Sequence, residues 1–154
     1  MTQRIAEESP LTEDLELLFA RHTADMHADT PPESIHMMDR GALAREGVRL
    51  FVLREAGKPS AMGALKRINA EHAELKSMHV LAESRGRGLS RQILEHLVNA
   101  AKAEGYTRLS LETGIQPTFI AARALYERAG FSTCGPFEGY GPDPNSVFMT
   151  RALV

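Results

Sequence analysis

Arg85-Gly86-Arg87-Gly88-Leu89-Ser90 stands between an extended segment, Glu74 to Val80, and a helical one, Leu89 to Ala103. A strand that turns through glycines into a helix leaves backbone N–H groups unpaired at the positive end of the helix dipole, where an anion can sit against them. The hexapeptide reads as a phosphate cradle. Gly86 and Gly88 permit close backbone approach, and Arg85 and Arg87 bring guanidinium donors matched to phosphate oxygens. No Lys-Ser or Lys-Thr follows, which argues against a nucleotide-triphosphatase loop, and the three spaced glycines of a dinucleotide fingerprint are missing. An Arg/Gly hexapeptide alone also fits an ordinary surface turn, so the flanking chain has to decide between the two.

Downstream, Leu89, Ile93, Leu94, Leu97, Val98 and Ala101 recur at helical spacing and Gly105 closes the run. Tyr106 to Thr113 alternates through Leu109 and Leu111 as a strand, completing a strand–loop–helix–strand unit of the kind that pairs in parallel and holds ligands at strand C-terminal ends. Pro117 opens a helix with Phe119, Ala122, Leu125, Tyr126 and Ala129 on one face and Gly130 as its stop. Phe131 to Phe137 and Ser146 to Leu153 read as final strands joined by a Gly/Pro-rich loop, Glu138 to Asn145.

Upstream, Gln3 to Glu7 reads as a strand, Thr12 as the N-cap of a helix with the stripe Leu15, Leu18, Phe19, His22 and Met26, and Ser34 to Arg45 as a second helix ended by Gly47. Within the second helix, His36 and Asp39 form a polar pair that suits either a pocket wall or a solvated face. His22 and His27 are five apart, so they do not share a helical face as metal ligands would, and His22 reads as a packed core-edge residue. Val48 to Glu55, Ser60 to Ile68 and Ala73 to Val80 form a three-strand meander ahead of the cradle. In its third strand Leu75, Met78 and Val80 break the alternation, which is compatible with a bulge near Met78 to Val80.

The 154 residues, 43% of them hydrophobic, suit one globular domain with a full core. A formal charge of -2 with dispersed basic residues gives no general attraction to nucleic acid. The N-terminal stretch lacks the pattern of a secretory signal and no apolar run reaches membrane-spanning length, so a cytoplasmic protein with no membrane association is expected. The single cysteine, Cys134, fits a reducing compartment and reads as a small hydrophobe near a strand, since no His/Asp pattern marks it as a nucleophile.

The cradle resembles the acetyl-CoA pyrophosphate loop of the GNAT (Gcn5-related N-acetyltransferase) superfamily, with Arg85, Gly88 and Ser90 at its three fixed places; Ser90 stands where glycine or alanine is usual. Ala122-Arg123-Ala124-Leu125-Tyr126-Glu127-Arg128-Ala129-Gly130-Phe131 is similar to the family's Leu-Tyr…Gly-Phe motif, and Phe119 stands where asparagine is common. Leu111-Glu112-Thr113-Gly114 and Asp143-Pro144-Asn145-Ser146-Val147-Phe148-Met149-Thr150 resemble the YsnE-like bacterial acetyltransferases. The resemblance covers nearly the whole chain. It implies an α/β (α+β) single-domain fold over residues 1–154, with a mixed central sheet of about six to seven strands and about four flanking helices.

The resemblance also implies acetyl-CoA as co-substrate, a small-molecule primary amine as acceptor, direct attack without a metal or covalent enzyme intermediate, and a homodimer as a common assembly. Arg85, Gly86, Arg87, Gly88, Leu89 and Ser90 would then hold the pyrophosphate. The Met78, His79 and Val80 backbone would line the pantetheine arm and face the thioester oxygen, with Phe119 and Tyr126 beside the arm. Tyr126 corresponds to the tyrosine that protonates the leaving thiolate, and its alternative is a plain core aromatic. Glu74, eleven residues before Arg85, matches a glutamate general base of some members; Glu112 on the next strand is the rival, and either also suits a solvated strand edge. The competing function is a non-catalytic acyl-CoA-binding or regulatory module.

Overall fold

The computed structural model of the chain describes residues 2–35, 38, 40–137 and 139–153. Along them run β1 (Gln3–Glu8), α1 (Glu16–Asp29), α2 (Arg40–Leu43), β2 (Val48–Glu55), β3 (Lys58–Arg67), β4 (His72–Val80), α3 (Leu89–Ala103), β5 (Arg108–Gly114), α4 (Ile120–Arg128), β6 (Ser132–Cys134) and β7 (Ser146–Ala152). The strands form one mixed sheet in the order β1-β2-β3-β4-β5-β7-β6. Neighbouring strands are antiparallel except β4 and β5, which are parallel. The mixed sheet with helices on its faces is the fold that the resemblance implies.

Both faces of the sheet are covered, which is why β2 and β3 read as nearly continuous apolar runs. On one face Leu89, Ile93, Leu94, Leu97, Val98 and Ala101 of α3 pack on Phe51, Leu53, Leu65, Leu75, Leu109 and Leu111. Each large side chain buried there contributes roughly 1.5–3 kcal/mol. Leu15, Leu18, Phe19 and Leu43 cover the other face against Leu50, Val52, Met62 and Ala64. Gly63 has no room for a side chain, because a Cβ there would meet Leu97 Cδ1 at 2.6 Å and Met78 Sδ at 2.7 Å.

The broken alternation of β4 has a local cause. Ala73 and Leu75 face α3, and so do Met78 and Val80, so the parity changes between them. Pairing runs Ala64↔Lys76 and then Met62↔His79, leaving Gly63 opposite both Ser77 and Met78. Ser77 adopts φ 57, the left-handed conformation, at this bulge. The bulge turns His79 toward α1 and Met78 toward α3.

Three expectations are corrected. Thr12 does not cap a helix: its hydroxyl donates to Ser9 O at 2.7 Å, and a 3-10 turn, Glu13–Leu15, precedes α1. Among the described residues, the helix expected from Ser34 to Arg45 is replaced by a 3-10 turn, Pro32–Ser34, an extended Ile35 and the short α2, where Gly41 lowers helix propensity. The His36 and Asp39 pair lies outside the described residues. The strand expected from Phe131 to Phe137 is confined to Ser132–Cys134, because Gly135-Pro136 leaves the ladder.

Candidate active site

Parallel pairing between β4 and β5 begins at His72↔Arg108 and stops at Leu75↔Leu111, although β4 continues to Val80 and β5 to Gly114. Beyond Leu75 the two strands diverge, and a slot opens through the sheet. The slot widens into a groove of about 1200 Å³ bordered by α1, α3 and α4, lined by Met78, His79 and Val80, by Arg85, Gly86, Gly88, Leu89 and Ser90, and by Phe119, Ala122 and Tyr126. A groove of this size holds a cofactor-sized molecule.

The cradle has the features an anion requires. Gly88 is the residue before α3, with φ 77, and provides no side-chain cap, so the first N–H groups of the helix have no side-chain acceptor; Gly86 is also left-handed, at φ 80. Arg85 is held at the rim by Nε donating to Val80 O at 3.1 Å and Nη2 donating to Asp25 Oδ2 at 3.0 Å. Arg87 is the one cradle residue that does not line the groove. Its Nη1 and Nη2 donate to the Glu55 carboxylate at 2.6 and 2.7 Å. Glu55 is buried and also accepts from Ser60 Oγ and Gln3 Nε2, and the Arg87 fork holds its carboxyl down at about 2. Arg87 therefore ties the loop to the ends of β1, β2 and β3.

On the α1 side of the slot lies a second cavity of about 120 Å³, which shares His22, Met26, Met78, Phe119, Ala122 and Tyr126 with the groove. Glu74, Glu112, Lys76, Thr30, Ser34, Ser77 and Asn145 line it as well. Tyr126 is buried at the junction; burial, aided by the charge of Glu112, pushes its hydroxyl up to about 12. Phe119 seats its ring on Gly114, where a Cβ would come within 2.5 Å of Cδ2. The departure from asparagine thus places an aromatic wall where an amide would stand.

The two candidate carboxylates enter from neighbouring strands. Glu74 is buried; Tyr140 Oη donates to its Oε2 at 2.5 Å, and Lys76 Nζ, 3.5 Å from the same oxygen, donates to Tyr140 Oη at 2.8 Å. Burial and the Glu74 charge push the Tyr140 hydroxyl well above the usual phenol range. Glu112 accepts from Ser146 Oγ at 2.7 Å. Tyr140 was not singled out by its sequence context; it reaches Glu74 because Phe137, Tyr140 and Phe148 stack edge to face, with centroids 5.0 to 5.9 Å apart. A lone aromatic in a Gly/Pro-rich loop was the signal available.

His22 proves to be more than a core-edge residue. Its ring lies 5.2 Å from that of His79, and burial holds both imidazoles down at about 4, hence neutral. His79 Nε2 is buried without a partner among the described residues, and Nδ1 is 3.9 Å from Asp25 Oδ2. Cys134 is half-buried on β6, away from both cavities, with burial raising its thiol. No helix among the described residues is long and apolar enough to cross a membrane.

Residues 13–131 match the acetyltransferase (GNAT) family. The uncharacterised N-acetyltransferase YsnE of Bacillus subtilis is 42% identical over 136 residues, covering 88% of this chain and 90% of that protein. An IAA acetyltransferase of Azospirillum brasilense is 39% identical, covering 97% of each. Among solved structures, a Klebsiella pneumoniae protein described as an acyl-CoA N-acyltransferase superposes with a TM-score of 0.81 at 28% identity, over 99% of both chains. Because the match spans the slot, the cradle and the Tyr126 helix together, the chain belongs to the GNAT family of acetyltransferases.

Proposed function

We propose that the chain acts as one acetyl-CoA-dependent N-acetyltransferase domain, transferring acetyl to the primary amine of a small molecule by direct attack. The observation that carries this reading is the slot, which joins a cofactor-sized groove to a small acceptor cavity with Tyr126 in the shared wall. Bound acetyl-CoA would supply a thioester. The open N–H groups of α3, with Arg85, Gly86, Gly88, Leu89 and Ser90, hold the pyrophosphate, while Arg87 braces their loop through Glu55. Met78, His79 and Val80 offer strand backbone to the pantetheine arm and an N–H to the thioester oxygen. The amine enters from the α1 side; its nitrogen bonds the acetyl carbon as the C–S bond breaks, and Tyr126 gives its proton to the departing sulfur. Glu74 takes the proton of the amine in this reading, with Glu112 the rival.

The test is thiol release from acetyl-CoA across a panel of primary amines, with IAA, which is not a primary amine, run beside it because one relative carries it in its name. Amine-dependent release is expected. Tight CoA binding with no release for any acceptor would instead support the non-catalytic module.

A further inference from the structure

The acceptor cavity carries a chemical bias of its own. Thr30 is buried with Oγ1 lacking any hydrogen-bond partner among the described residues, and Ser77 Oγ is in the same condition. Both residues line the 120 Å³ cavity. Ser77 reaches that wall through the left-handed bulge of β4, an unfavourable conformation for a serine. Buried hydroxyls left unpaired are costly, so two of them on residues that line one small cavity point to a ligand that supplies their partners.

The charges narrow the choice. Glu74 and Glu112 line the cavity, and the cation among its described residues, Lys76, is engaged by Glu74 and the Tyr140 hydroxyl. A ligand carboxylate entering here would meet like charge, whereas an ammonium would be drawn in. The volume admits roughly four water-sized groups at about 30 Å³ each. An amine engaged by the carboxylates leaves Thr30 and Ser77 to be satisfied by another part of the same molecule, and a hydroxyl can donate to one and accept from the other.

We propose that the acceptor is a small amino alcohol: a cationic amine that bears a hydroxyl and lacks a carboxylate, with Thr30 and Ser77 reading the hydroxyl. This rests on the acetyl-transfer reading of the site, but its test uses binding. With the protein saturated by CoA, so that no transfer can occur, calorimetry compares ethanolamine, its isostere n-propylamine, and glycine. Ethanolamine should bind roughly tenfold tighter than n-propylamine, consistent with one or two hydrogen bonds, and glycine should bind weakest. Thr30→Val, which keeps the shape and removes the hydroxyl, should narrow the gap between the first two while leaving n-propylamine affinity at its parental value; Ser77→Ala should act in the same direction. Equal binding of the isosteres, tighter binding of glycine, no detectable binding of ethanolamine, or an unaltered preference in both variants would each overturn the proposal. A clear ethanolamine preference without thiol release in the acetyl-CoA assay would sink the transfer reading and leave only the amino-alcohol recognition by Thr30 and Ser77.

Discussion

In the proposed mechanism Tyr126 acts through a single oxygen. Its ring packs beside Phe131, with centroids 6.0 Å apart, and that packing survives loss of the hydroxyl. A hydroxyl held up at about 12 stays protonated across the working pH range and has a proton to give. Tyr126→Phe should therefore lower kcat by about 10²- to 10⁴-fold while calorimetric CoA affinity stays parental; unchanged kcat with chemistry rate-limiting would return the residue to the core. For the base, Glu74→Gln keeps the volume and removes the proton acceptor. Since an aliphatic ammonium ionises near pH 10, roughly the lysine value, kcat/KM of this variant should be depressed at neutral pH and recover as alkali supplies free amine. The same profile from Glu112→Gln alone would move the role to β5. The buried network of Tyr140 and Lys76 around Glu74 makes the outcome informative, because Tyr140→Phe then separates the network from the carboxylate itself.

The loop and helix that form the cradle act as one element. Gly88 has φ 77, so any side chain there is strained, and glutamate adds a negative charge at the mouth of the anion site. Gly88→Glu should weaken CoA binding by at least tenfold in calorimetry with the fold retained by circular dichroism; parental affinity would refute the cradle. At this scale much was legible. α3 could be read residue by residue, because a six-member stripe between Gly88 and Gly105 admits one period. The meander and the βαβ unit followed from turn residues and lengths. The second helix was over-read, since Gly41 in its middle was a visible warning; what the sequence hid was settled by tertiary contacts, as when Arg87 was drawn off the groove by Glu55, thirty-two residues away. Tyr140 and Thr30 were likewise invisible as site residues, since their positions depend on an aromatic cluster and on how α1 ends over the slot.

For the molecule as a whole, the neutral imidazoles of His22 and His79 link stability to pH. Unfolded, each takes a proton near pH 6.5, but in the fold only at about 4, so between those values the unfolded chain holds more protons. Their contribution is complete above pH 6.5 and is lost as pH falls toward 4, by at most about 1.4 kcal/mol per unit for each. Urea unfolding over this range should show stability dropping more steeply in the parent than in a His22→Gln/His79→Gln variant; equal slopes would mean that neither ring is protected. The divergence of β4 from β5 has a further consequence. A sheet normally has edges only at its margins, yet here two inner strands each present an unladdered stretch to the slot. Amides of residues 76–80 that point toward β5 have no strand to pair with, so in the free protein they should exchange with deuterium faster than their alternates, which are paired with β3. An extended cofactor arm lying in the slot would act as a missing strand, and mass spectrometry should then find exchange slowed along this stretch of β4. The fold thus has an interior edge that, in the proposed function, a molecule other than a peptide would complete.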